Sequence, residues 1–284
     1  MTSLTKYKYG HFLVTSPAPY VAHVEINQPH KLNAFHRDMW LEFGDIFDKL
    51  SHDPDVRAVV LSGSGDKAFT AGLDVKAAAG EGAVMGGEGV SEDIARKATN
   101  LRRFIYEFQE CITKMEKCEK PVICVLHGVS IGLAIDIATC ADIRIVAQGA
   151  QMAVKEVDVG LAADIGSLAR LPKVVGNSSW IKDVCLTARM FSPEEALAVG
   201  FVSQVLPDKK SAVDAALKLA AKIAGKSPVA VQGTKELLNH ARDHPVKDNL
   251  RYTAVWNSAM VLSEDFKKAL MGGLTRKKPT FEKL

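Results

Sequence analysis

Three carboxylates stand where chains seldom keep them. Asp136 interrupts the most apolar stretch of the sequence, since no Asp, Glu, Lys or Arg occurs from Pro121 to Ile135. Glu156 and Asp164 follow, eight residues apart, in the run Val154-Lys155-Glu156-Val157-Asp158-Val159-Gly160-Leu161-Ala162-Ala163-Asp164. Burying a carboxylate costs several kcal/mol unless it is paired or protonated. In apolar surroundings its pKa rises, which general acid–base chemistry near neutral pH requires. The bland alternative for Asp136 is a carboxylate tied to backbone N–H groups at a turn or helix start. Asp158 alternates with Glu156 and reads as a strand-surface or turn carboxylate.

Elements must bring these residues together. Tyr20 to Ile26 reads as a strand, and Asp38 to Leu50 as a helix with Trp40, Phe43, Phe47 and Leu50 on one face. Ala58 to Leu61 is a second strand, ending at the turn-rich Ser62-Gly63-Ser64-Gly65-Asp66. Pro121 to Leu126 is a buried strand, followed by a glycine break, a helix from about Gly132 to Cys140, and a strand from Asp142 to Ala147. Such alternation signals an α/β layered fold. Beyond Val205 the pattern turns helical: Asp208 to Ala224 stops at Gly225, Ser227-Pro228 opens another helix, and Val246 to Leu262 forms a further one. Ser192-Pro193-Glu194-Glu195 is a capping box. The C-terminal helices expose more apolar surface than a tail could hide, so they are expected to dock on a neighbouring subunit. Five glycines within residues 80–89 predict a surface loop, either a lid over a ligand or a plain insertion.

Two glycine-bearing motifs flank the acids. Lys67-Ala68-Phe69-Thr70-Ala71-Gly72-Leu73-Asp74 follows a strand and turn. His127-Gly128-Val129-Ser130-Ile131-Gly132-Leu133-Ala134-Ile135-Asp136 is a strand breaking into a helix. Glycine at such breaks lets backbone N–H groups point into a cavity, and a helix N-terminus favours negative charge. Two breaks facing each other would make an oxyanion hole for a carbonyl that becomes an enolate.

With these motifs and the later Glu and Asp, the chain resembles the crotonase, or enoyl-CoA hydratase/isomerase, superfamily over nearly its whole length. Within it, the 154–164 run is most similar to the Δ3,5-Δ2,4-dienoyl-CoA isomerase branch. The resemblance implies an α/β fold of repeated ββα turns in two sheets, with a spiral core at 1–205 and a C-terminal helical region at 206–284 that builds homotrimers, often paired into hexamers. It implies oxyanion N–H groups from Leu73 and Leu133, Glu156 as general base, Asp164 as the second acid–base group and Asp136 as a supporting carboxylate. The loop Lys31-Leu32-Asn33-Ala34 would lie along the coenzyme A nucleotide. Contacts to the thioester are expected at Lys31, Asn33, Ala34, Ala71, Gly72, Leu73, Asp74, Val75 and Leu133.

No separate cofactor is implied, the substrate being itself a coenzyme A thioester. The implied reaction converts a 3,5-dienoyl-CoA to the 2,4-dienoyl-CoA in β-oxidation of unsaturated fatty acids. A proton leaves C2 and another arrives at C6, four bonds away, so two groups on opposite sides fit. Hydratases of the superfamily instead pair two Glu around a water and have glycine at the position of Asp164. Relatives also usually have glycine where this chain has Leu133 and Ala134, so the Leu133 side chain must point away from the thioester. The alternatives are a 2-enoyl-CoA hydratase, a Δ3-Δ2 isomerase, and a non-catalytic or RNA-binding scaffold. Retained Glu156 and Asp164 and a formal charge of only +3 disfavour the last.

Bulk properties agree. The 284 residues, 47% hydrophobic and 24% charged, can bury a substantial core in a soluble domain. No apolar window reaches the ~18 residues of a membrane span. Five cysteines without C-x-x-C and eight histidines without an H-E-x-x-H motif, His240 and His244 being the one H-x-x-x-H pair, suggest reduced thiols and no metal site. His127 reads as a hydrogen-bonded structural histidine, while Lys31 and Lys67 could meet coenzyme A phosphates or be solvated turn lysines. The first 36 residues lack Arg and an apolar signal core, and Glu282-Lys283-Leu284 is similar to the peroxisomal S-K-L address. A peroxisomal location is therefore expected, with a mitochondrial one as alternative.

Overall fold

Alternating side chains on each strand of the main sheet face two different cores. The computed structural model describes residues 6–74 and 93–284. The six-stranded sheet runs β1 (Phe12–Ala18), β2 (Val21–Ile26), β3 (Ala58–Gly63), β5 (Val122–Leu126), β7 (Ile143–Ala147) and β9 (Gln204–Leu206). Only the β1–β2 pair is antiparallel; every later neighbour is parallel. A second, three-stranded parallel sheet is formed by β4 (Ala68–Thr70), β6 (Val129–Ile131) and β8 (Gln151–Ala153).

The connectivity repeats. β3 leads to β4 and then helix α2 (Ile94–Lys117); β5 leads to β6 and α3 (Leu133–Cys140); β7 leads to β8 and α4 (Ser167–Val174). Each turn gives one strand to each sheet and a helix outside them, which is the expected ββα spiral. Val59 and Leu61 of β3 join the core between the sheets, together with Trp40, Phe43 and Phe47 of α1 (Arg37–His52). Ala58 and Val60 face the opposite side. There α7 (Lys209–Ala224) lays Ala212, Ala216, Ala220 and Ala224 on the sheet, four apart and short enough for close approach.

After α4 come α5 (Ser178–Thr187) and α6 (Pro193–Ala198), and after α7 come α8 (Pro228–Asp243), α9 (Val246–Met260) and α10 (Glu264–Thr275). Ser192, Asp208 and Ser227 accept N-cap bonds from the N–H groups of Glu195, Ser211 and Ala230, while the Glu195 carboxylate accepts from Trp180 Nε1–H and Arg189, so the capping box is formed on one side only. Among the elements not anticipated are β1 and α2. β1 contains Pro17, tolerated because this is an edge strand. The 24-residue α2 buries only Phe108, Ile112 and Met115, all in its second half, and its first half is too polar to give an apolar stripe. Trp40 stacks on Phe108 with ring centroids 4.0 Å apart, joining α1 to α2. The glycine-rich 80–89 stretch and Val75 lie outside the described residues. Among the described residues no helix is long and apolar enough to cross a membrane.

Candidate active site

Parallel pairing in the small sheet brings three chain breaks to one edge. Thr70 lies opposite Ser130, and Ile131 opposite Ala153. Just past these positions the chain leaves the sheet through Gly72-Leu73, through Gly132-Leu133, and through Lys155-Glu156. Gly72 (φ +93°) and Gly132 (φ +56°) occupy the left-handed region that glycine enters without strain. A Cβ on Gly132 would stand 4.0 Å from the Gly72 Cα and 3.3 Å from Glu156 Oε1. The two breaks therefore touch, and the Glu156 carboxylate overhangs one of them.

Neighbouring peptides are paired around this contact. Gly132 N–H donates to the Ala153 carbonyl (2.9 Å), Phe35 N–H to the Gly72 carbonyl (2.8 Å), and Asp74 N–H to the Phe35 carbonyl (2.8 Å). The N–H groups of Leu73 and Leu133 have no such partner among the described residues. Leu133 also begins α3, where the helix dipole favours an anion. Its side chain is 3% exposed and packed in the inter-sheet core, while its N–H stays uncommitted. Two unpaired amides at adjoining breaks can hold a developing oxyanion.

Asp136, one turn into α3, is 1% exposed. Its Oδ1 accepts from Ser167 N–H (2.6 Å) and Ser167 Oγ–H (2.8 Å) at the start of α4. The bland expectation is thus realised for this oxygen, and it coexists with the chemical one. Burial pushes the carboxyl up to about 6, against the pull of Ser167 and Arg170. Glu156 opens a single 3-10 turn closed by Gly160 at φ +78°. Its Oε2 is buried without a hydrogen-bond partner among the described residues. Burial first, and then the Asp136 charge, push Glu156 up to about 7. Asp164 is half-buried and raised by burial, and its charge in turn raises both other carboxylates. The charges of Asp136 and Asp164 both raise Glu156, and that of Asp164 raises Asp136, so the acids feel one another.

The remaining candidates divide clearly. Asp158 pairs with Lys155 at 2.6 Å on the surface. His127 is buried and hydrogen-bonded to the Gly65 carbonyl (3.0 Å), so Nε2 carries the proton; burial lowers its pKa to about 4, leaving it neutral. Lys31 and Asp74 meet as an ion pair of 3.0 Å. Asn33, with φ +56°, is wholly enclosed: Oδ1 accepts from Gln28 N–H, and Nδ2 donates to the Ser64 and Ala68 carbonyls. Its amide shapes the loop, and a ligand there would meet the loop's outer surface instead. Ala71 N–H donates to the Leu32 carbonyl (3.0 Å), tying this loop to the Gly72 break. Beside it lies a cleft of about 290 Å³ lined by Pro29, His30, Leu32 and the 64–68 turn, with exposed Lys67.

Ser167, Gln109 and Arg170 were not anticipated. Gln109 Nε2 donates to the Asp164 carbonyl (2.5 Å), and Arg170 spans from α4 to α2. Polar residues four and three apart on α2 (Gln109, Thr113, Glu116) were the only available signal, and they resemble an ordinary solvated face.

Comparison with known proteins agrees with this architecture. The family model described as enoyl-CoA hydratase/isomerase matches residues 18–283. A Homo sapiens protein named "Delta(3,5)-Delta(2,4)-dienoyl-CoA isomerase, mitochondrial" is 46% identical over 281 residues, 98% of this chain and 84% of that one. An Arabidopsis thaliana protein of the same name, designated peroxisomal, is 39% identical over 93% of each chain. The crystal structure of an enoyl-CoA hydratase from Bacillus anthracis superposes with a TM-score of 0.85 over 96% of this chain and 99% of that one, at 23% identity, a likeness of fold.

Proposed function

The chain belongs to the enoyl-CoA hydratase/isomerase family, and we propose that it converts 3,5-dienoyl-CoA to 2,4-dienoyl-CoA by proton transfer between two carboxylates. The observation that carries this is the grouping of Glu156, Asp164 and Asp136 in one electrostatic environment beside two uncommitted amides. The relatives from Homo sapiens and Arabidopsis thaliana carry the name of this activity, which supports the same reading.

Glu156, poised near neutrality, takes the C2 proton; its C–H bond electrons delocalise into a dienolate. The oxygen of that anion is held by the Leu73 and Leu133 N–H groups. Asp164, whose proton affinity burial raises, delivers a proton to C6, and solvent exchange restores both groups. Asp136 raises the proton affinity of Glu156 from within the core. One oxyanion donor typically contributes about 3–4 kcal/mol and acid–base catalysis about 10²–10⁴-fold. The nucleotide end of the substrate lies along the loop at residues 31–34, beside Lys67.

Exposed apolar side chains on the C-terminal helices, among them Leu238, Leu250, Leu270 and Leu274, support assembly as a homotrimer or a dimer of trimers. Light scattering on the purified protein reads this directly. A peroxisomal location, with a mitochondrial one as the alternative, is part of this reading; both designations occur among the relatives.

The deciding experiment is Asp164→Asn assayed by the ultraviolet absorbance of the conjugated product, alongside a panel of 3,5-dienoyl-, 3-enoyl- and 2-enoyl-CoA for the unaltered protein. The variant should fold and bind coenzyme A thioesters while forming little conjugated dienoyl product. Unaltered turnover by Asp164→Asn would count decisively against the assignment.

A further inference from the structure

Asp164 sits in a stretch without regular hydrogen bonding, between the 3-10 turn and α4. No strand ladder or helix fixes its peptide. What meets it is α2, whose Gln109, Thr113 and Glu116 fall on one face at spacings of four and three. Gln109 Nε2 donates to the Asp164 carbonyl at 2.5 Å. Six residues on, Arg170 donates through Nη2 to Thr113 Oγ1 (2.8 Å) and through Nε to Glu116 Oε2 (2.9 Å). Glu116 also binds Arg242 of α8. Between these two grips, a Cβ on Gly166 would overlap the Arg170 guanidinium, and Ser167 holds Asp136. The helix therefore clamps the segment at both ends.

We propose that Gln109 is a positioning residue for the proton delivery at C6, an inference that rests on Asp164 being the acid for that step. A carboxylate on an irregular segment needs support from its neighbours to stay within about 0.5 Å of its working position. A misplacement of about 1 Å can cost on the order of 10²-fold in rate. Gln109 binds the main chain through a neutral amide and has no proton to exchange at neutral pH. Glu156 and the two oxyanion amides are fixed separately, by the ends of the small sheet. The effect of losing Gln109 is accordingly selective: C6 protonation falters while C2 proton abstraction continues.

Gln109→Met preserves length and bulk and deletes the donor. With a 3,5-dienoyl-CoA carrying deuterium at C2, it should lower kcat by about 10–100-fold with KM within about threefold. Loss of C2 deuterium to solvent should stay near the rate of the unaltered protein, and the melting temperature should hold. Gln109→Asn, whose amide falls one methylene short, should lose less, and it carries the test if the Met variant does not fold. Unaltered kcat in Gln109→Met overturns the positioning role, as does a loss of deuterium exchange in step with isomerisation. Asp164→Asn measured beside it separates the two claims. An inactive Asp164→Asn with a fully active Gln109→Met sinks only the positioning role, whereas an active Asp164→Asn removes its premise.

Discussion

The interior of α3 and the turn at Glu156 place two carboxylates in opposite circumstances. Asp136 is sealed in the core and satisfied on one oxygen by two donors from Ser167. Glu156 is less enclosed, yet one of its buried oxygens has no partner among the described residues. The first is anchored and adjusts its neighbour by charge; the second is left with an oxygen free to receive a proton. A buried carboxylate oxygen that is hydrogen-bonded contributes order, while one with a spare lone pair contributes reactivity.

Removing the free oxygen should have the largest effect. Glu156→Gln should reduce turnover of 3,5-dienoyl-CoA by about 10²–10⁴-fold at pH 8, with product absorbance as the measure; retention of more than a tenth of the rate would show that the base lies elsewhere. Neutralising the anchored partner should act on pH dependence. Asp136 raises the proton affinity of Glu156, so Asp136→Asn should move the acid limb of kcat/KM from about 7 to lower pH, with roughly tenfold less activity at the plateau because the base is weaker. A limb at the unchanged pH would show that the two acids are not coupled.

A further effect is on stability. Glu156 holds its proton more tightly in the folded chain (about 7) than at its ordinary value of 4.5. Folding stability should therefore fall as pH rises between those values. Glu156→Gln should remove that slope, so the variant should be more stable than the parent at pH 8, by up to roughly 3 kcal/mol, and equal to it near pH 4. Urea melts at the two pH values measure the gap; a gap that widens toward pH 4 would reverse the sign and contradict the burial argument.

Much of this arrangement was legible because charge is conspicuous against an apolar background. Asp136 stands out after Pro121–Ile135, and Gly72 and Gly132 mark breaks that only a folded register can join. Asn33 was legible as a loop residue, though its amide turned out to be spent inside the loop, since side-chain direction depends on the unusual φ values of Leu32 and Asn33. The Gln109 grip was not legible. A polar residue on a half-buried helix looks alike whether it meets water or a backbone carbonyl, and Gln109 and Asp164 are 55 positions apart. Ser167 was hidden likewise, since its partner lies 31 positions earlier.

Because the amides at Leu73 and Leu133 belong to the main chain, no replacement at either position other than proline deletes them. Mutational drift can therefore recast the acyl-binding walls around this contact while the polarising pair persists, provided the Gly72–Gly132 approach is kept. Divergence of substrate preference and preservation of enolate chemistry become separable, and the constraint on the latter falls on two hydrogen atoms in place of a methyl.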